Sequence, residues 1–173
     1  MEAWQKLGEA VVHEGHVPIL ARRFRAPDGA ERTTEIKREG ETVAILALTP
    51  ARDVVLARQF RQGPEEILLE LPGGGLEQGE SSLDAAGREL LEETGYAGEL
   101  QDAGSLFDCA YSTRLRHVVV ALDARPVAAP KPDAGEFTEV ELVSLDAFRD
   151  HLREGRLTDV GVGYRALDAL GLL

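Results

Sequence analysis

The stretch that decides the fold is "GGGLEQGESSLDAAGRELLEETGY", residues 73–96. Three consecutive glycines, Gly73 to Gly75, follow the apolar run "EEILLELP" and are read as a tight turn, where small residues let the backbone approach an ion or a phosphate. Beyond them, Ser81-x-x-Asp84 has the form of a capping box, and Gly95 suits the left-handed position just past a helix end. The spacing therefore predicts a helix from Ser81 or Ser82 to Thr94. On a helical wheel, Leu83, Ala86, Gly87, Leu90 and Leu91 share the side expected to be buried. Glu89, Glu92 and Glu93 gather on the remaining surface, with Glu89 and Glu93 one turn apart. Like charges at that spacing repel by ~0.2–0.5 kcal/mol in an isolated helix. A divalent cation between them turns repulsion into ligation, and oxygen donors suit hard ions such as Mg²⁺, Mn²⁺ or Ca²⁺. Glutamate pairs of this kind are also common on solvated helices. The glycine run and the embedded Arg88 make the arrangement more specific than the pair alone.

Bulk composition is consistent with small-molecule chemistry. The 173 residues fit one domain with a substantial core, and 43% hydrophobic against 29% charged is an ordinary globular balance. A net charge of −12 argues against a nucleic-acid backbone as partner, while bound cations still allow an anionic small substrate. The single cysteine, Cys109, excludes an internal disulfide, and the four histidines form no spaced cluster for zinc. No apolar run is long enough to span a membrane and the first residues lack a signal-peptide pattern, so the expected location is the cytosol.

Outward from the central stretch, "HVPILARRFR" and "ERTTEIKRE" read as strands around the turn at Pro27-Asp28-Gly29. "TVAILALTP", "DVVLARQF", "EEILLELPGG", "AGSLFDC", "RHVVVALDA" and "FTEVELVSL" supply further strands. "LDAFRDHLREG" and the C-terminal "TDVGVGYRALDALGLL" read as helices, the second weakened by Gly161 and Gly163. Strands outnumber helices and hardly alternate with them, which implies an α+β fold with a mixed sheet flanked by helices.

Residues 73–96 also resemble the signature of the Nudix family, G-x5-E-x7-R-E-U-x-E-E-x-G-U with U a bulky apolar residue. Gly74, Glu80, Arg88-Glu89-Leu90, Glu92-Glu93 and Gly95 match it, and Tyr96 stands where an aliphatic is usual. The resemblance implies a single Nudix domain over residues 1–173, an α/β/α sandwich with an additional N-terminal antiparallel sheet. It implies hydrolysis, with Mg²⁺ or Mn²⁺, of a nucleoside diphosphate linked to another group. Carried over, Glu89 and Glu93 would be principal metal ligands, Glu92 would lie beside them and the Gly73 carbonyl would add a backbone ligand. Glu89 would thereby also be catalytic, and Arg88 and Glu80 would orient the carboxylates.

Within the family, "VVLARQFRQGPEEILLELPGGG" resembles the ADP-ribose pyrophosphatase group through Gln59, Arg61 and Glu70-Leu71-Pro72. Arg61 and Glu70 are the implied substrate contacts, whereas Arg58, three residues from Arg61, faces the other side of its strand. "FDCAYSTRLRH" has no proline where that group often carries one, which keeps nucleotide sugars such as GDP-mannose open beside ADP-ribose. A non-catalytic nucleotide sensor on the same fold is the reading from another class, opposed by the intact signature. The likeness further implies a homodimer in which residues 1–45 take part. Because ligating carboxylates are poorly placed to accept a proton as well, a separate general base is expected in "KPDAGEFTEVELVSL". Glu136, at the loop edge after Gly135, is favoured over Glu139 within the strand.

Overall fold

The computed structural model describes residues 1–131 and 137–173. Its contacts divide the chain into two compact units, residues 1–41 with 107–115, and residues 42–106 with 116–173.

The first unit is built on β1 (Gln5–His13), β2 (Ile19–Arg25) and β3 (Glu31–Lys37), an antiparallel sheet in the order β1-β2-β3. The β2–β3 hairpin turns where expected, with the Asp28 carboxylate accepting from the Ala30 N–H at 2.9 Å and Gly29 at φ 80°. β1 was not expected. Its ladder to β2 shifts register between Lys6 and Gly8 and again between Val11 and His13, which breaks the alternation by which a strand is recognised. Trp4 packs edge-on against Phe24 and under the Arg32 guanidinium. Residues 107–115 are tied to the end of β3 through Glu39. Its carboxylate accepts from Ser112 Oγ at 2.7 Å and pairs with Lys37 and Arg114. Burial pushes the Glu39 carboxyl up, but Ser112, Lys37 and Arg114 together hold it below its ordinary value.

The second unit carries a seven-stranded mixed sheet. β4 (Thr42–Leu48), β5 (Asp53–Arg61), β8 (Tyr96–Phe107), β9 (Leu115–Pro126) and β10 (Thr138–Ser144) run in the order β10-β5-β4-β9-β8. β4 and β9 are parallel, whereas β5 is antiparallel to both β4 and β10. β4, β5 and β9 each carry an unbroken apolar run, and successive side chains alternate between the two faces of the sheet. Ala44, Leu46, Leu48, Val54, Leu56, Val118 and Val120 enter one core, against α2 (Leu145–Glu154) and α3 (Val160–Ala169). Val43, Ile45, Ala47, Val55, Val119 and Ala121 enter the other, against α1 (Ser82–Thr94). Two helical layers on one sheet is the expected sandwich. Gly163 has a positive role in α3: a Cβ there would lie 2.4 Å from a Leu152 methyl, so its absence lets α2 and α3 close together. No helix among the described residues is long and apolar enough to cross a membrane.

Two local expectations change. Gly73–Gly75 is a strand rather than a tight turn; as β7 it pairs antiparallel with β4, following β6 (Glu66–Glu70), which pairs with β5. A Cβ on Gly73 would lie 2.2 Å from the Val43 carbonyl oxygen, so only glycine allows this approach. α1 is also rotated from the expected face. Ala85, Ala86, Leu90, Glu93 and Thr94 are buried, whereas Leu83 and Leu91 are 37% and 39% exposed. The small alanines let the helix lie close to the β4 and β7 backbones, which turns its bulkier leucines outward.

Candidate active site

The ends of α1 are set by local chemistry. Ser81 Oγ accepts from the Asp84 N–H, and Gly95 closes the helix at φ 73° with its N–H donating to the Leu91 carbonyl. Between those caps the helix brings its acidic residues to β7, where Gly73, Gly74, Gly75, Glu77, Arg88, Glu89, Glu92 and Glu93 line a cavity of about 280 Å³.

Arg88 organises it. Its Nε and Nη2 donate to the two Glu80 oxygens, both at 3.0 Å. Nη1 donates to Glu89 at 2.9 Å and to Glu92 at 3.1 Å, and Nη2 also reaches the Gly75 carbonyl at 3.0 Å. A planar fork with five donors is suited to this, and a lysine could not reproduce it. Glu80, held by Arg88 and by the Glu77 N–H, lies below its ordinary pKa, and the Arg88 guanidinium is pushed up by Glu80 first and then by Glu89. Glu93 is almost fully buried and accepts from the Gly73 N–H at 2.9 Å. Gly74 lies directly beneath Glu89: a Cβ there would come within 2.3 Å of a Glu89 carboxylate oxygen.

A divalent cation needs several oxygen donors gathered about one point. Among the described residues no three carboxylate, imidazole or thiol side chains converge tightly enough to cage an ion unaided. The carboxylates are instead held apart by Arg88 and the Gly73 N–H. The donors are nonetheless all oxygen, they line one cavity, and the space over Gly74 is kept clear for Glu89. The donor chemistry fits a hard cation.

Arg61 and Glu70 meet each other. Glu70 is fully buried and accepts from Arg61 Nε at 3.4 Å. Strand alternation separates Arg61 from Arg58, and Arg58 pairs with Glu141 on β10. Glu139 faces Arg58 across the β5–β10 ladder. Its neighbours Thr138 and Val140 point the other way, Thr138 donating to the Glu93 carbonyl and Val140 packing into the α1 core. Glu139 is thus on the sheet face away from α1.

Glu136 lies outside the described residues. The described residues on either side are tied to the last turn of α1: the Lys131 N–H donates to the Glu92 carbonyl at 2.7 Å, and the Thr138 hydroxyl donates to the Glu93 carbonyl. Sequence reasoning missed Thr158, whose backbone and hydroxyl both bond Glu70. A lone threonine between two helices gave no signal.

The family model described as the NUDIX domain matches residues 38–160. The chain is 32% identical over 136 residues to a methanol dehydrogenase activator of Bacillus methanolicus, covering 77% of this chain and 74% of that protein. It is 32% identical over 133 residues to an ADP-ribose pyrophosphatase of Bacillus subtilis, covering 75% and 72%. An ADP-sugar pyrophosphatase of Mus musculus is 35% identical over 153 residues, covering 76% and 69%. A solved structure described as an ADP compounds hydrolase superposes with a TM-score of 0.82 over 100% of this chain and 98% of its own. At 23% identity, that likeness speaks to the fold.

Proposed function

Since the chain belongs to the Nudix family, we propose that it hydrolyses the diphosphate of a nucleoside diphosphate joined to a further group, ADP-ribose or a related nucleotide sugar, with Mg²⁺ or Mn²⁺. The observation that carries this reading is Arg88, held by Glu80 and holding Glu89 and Glu92, which line one cavity with Gly73–Gly75. The names of the Bacillus subtilis and mouse relatives support the substrate class.

In this reading Glu89, Glu92, Glu93 and the Gly73 carbonyl would hold the ion, which when bound would neutralise charge on the diphosphate and make water a better nucleophile. Arg88 and Glu80 keep the carboxylates in place, so the ligands are oriented before the ion arrives. Arg61 binds the diphosphate from β5, backed by Glu70. Glu136 takes the proton from the attacking water; for Glu139 the face it occupies on β10 speaks against that task. A homodimer is part of the proposal, with β1–β3 contributing; Trp4, Val11 and Val12 are exposed there.

The test is a panel of ADP-ribose, other ADP-sugars and GDP-mannose, each with Mg²⁺ or Mn²⁺, read as release of nucleoside monophosphate. Turnover of ADP-ribose above the others supports the reading. Preference for GDP-mannose moves the substrate, and binding without monophosphate release from any of them replaces the hydrolase with a sensor.

A further inference from the structure

Glu70, at the end of β6, is a carboxylate with no exposure to solvent. A buried charge of this kind is costly unless it is paired and hydrogen-bonded. Four contacts meet that need. The Thr158 N–H lies 3.2 Å from one Glu70 oxygen and 3.0 Å from the other, the Thr158 hydroxyl donates to the second at 2.9 Å, and Arg61 Nε donates to the first at 3.4 Å. Thr158 is itself fixed, because Leu157 and Asp159 on either side are buried and the Asp159 carboxylate pairs with Arg116 on β9.

Among the described residues, Glu70 is the partner of Arg61, and the contact uses only Nε. Both terminal nitrogens of the guanidinium therefore remain for an anion, and the Arg61 side chain is 32% exposed. A guanidinium anchored by one edge presents its other edge in a fixed plane, the geometry that a bidentate phosphate contact needs.

We propose that Thr158 is a positioning residue for substrate binding: through the buried Glu70 carboxylate it fixes the plane in which Arg61 meets the diphosphate. This rests on the assignment of Arg61 to the diphosphate made above. The connection between α2 and α3, remote in sequence from the acidic helix, thereby enters the substrate site, and Glu70 acts through Arg61 rather than by touching substrate.

The experiment is a double-mutant cycle on full-length protein with ADP-ribose and saturating Mg²⁺. Thr158→Val removes the hydroxyl donor and keeps shape and backbone N–H; Thr158→Ser keeps the donor. Thr158→Val should raise KM about three- to tenfold, the effect of one hydrogen bond, with kcat within about twofold. Thr158→Ser should restore KM, and in an Arg61→Ala background Thr158→Val should add nothing. A KM unchanged in Thr158→Val, or raised by the same factor with and without Arg61, overturns the proposal and leaves Thr158 as a loop anchor. Arg61→Ala with an unchanged KM overturns the assignment of Arg61 itself, an outcome distinct from the other two.

Discussion

Gly74→Ala should separate the site from the fold. The added methyl would stand 2.3 Å from one Glu89 oxygen, 2.6 Å from its carboxylate carbon and 2.8 Å from the other oxygen. Ordinary contact begins near 3.4 Å, so the carboxylate must retreat by about 1 Å. It can do so at modest cost, because the atoms struck are the far end of a flexible side chain, held by Arg88, and Gly74 is not among the glycines at positive φ. Stability should fall by no more than ~1 kcal/mol, or about 2–4 °C in Tm for a chain of this size. The proposed metal site would tolerate far less, since ligand distances are held to about ±0.2 Å and a 1 Å misplacement costs ~10²-fold in rate. Gly73→Ala is the control. Its methyl meets the Val43 carbonyl oxygen at 2.2 Å and the Ala44 Cα at 2.8 Å, main-chain atoms that cannot step aside without parting β7 from β4. That strain should cost ~1–3 kcal/mol. Thermal denaturation reads the fold, Mn²⁺ binding by electron paramagnetic resonance reads the site, and monophosphate release reads turnover. Wild-type Mn²⁺ affinity and kcat in Gly74→Ala would show that Glu89 does not hold the ion.

Glu136→Gln should lower kcat at least ~100-fold with Mn²⁺ and ADP-ribose affinities nearly unchanged; the same profile from Glu139→Gln would instead move the base onto β10. Acid titration of Tm probes Glu80, whose pKa in the folded protein lies below its ordinary 4.5 through Arg88 first and the Glu77 N–H second. A carboxylate depressed on folding stabilises above pH 4.5 and loses that contribution as pH falls through its folded value. Glu80→Gln should therefore lie below wild type at neutral pH and converge with it in acid, whereas a constant gap would refute the linkage. Light scattering at micromolar concentration should give twice the 18.8 kDa chain mass, and a stable monomer would remove β1–β3 from the interface.

The signature at residues 73–96 was legible because its parts are local: caps, a turn of carboxylates and a glycine that must sit at φ 73°. The central strands β4, β5 and β9 were legible as continuous apolar runs, whereas the division of their side chains between two cores shows only in the fold. What the sequence hid was set by partners far along the chain. The face of α1 followed the glycine backbone of β7 rather than its leucines, so Leu83 and Leu91 turned outward. The strand character of Gly73–Gly75 depended on β4, some thirty residues earlier, because glycines have no side-chain pattern to read. β1 was lost to its two register shifts, and Thr158 to the absence of any motif around it.

The acidic end of α1 has a thermodynamic consequence. Glu89, Glu92 and Glu93 occupy its last two turns, with no basic side chain in the final one. Aligned peptide dipoles place partial negative charge at that pole, which favours cations and disfavours carboxylates. Arg88 offsets part of this mismatch from one turn back. A divalent ion would offset more of it, and occupancy of the proposed site and cohesion of the fold would then be a single equilibrium. At a free-ion concentration one hundred times Kd, the bound state gains ~2.7 kcal/mol over the unfolded chain. With the ion bound as proposed, the melting temperature of the protein would become a gauge of how much ion is present.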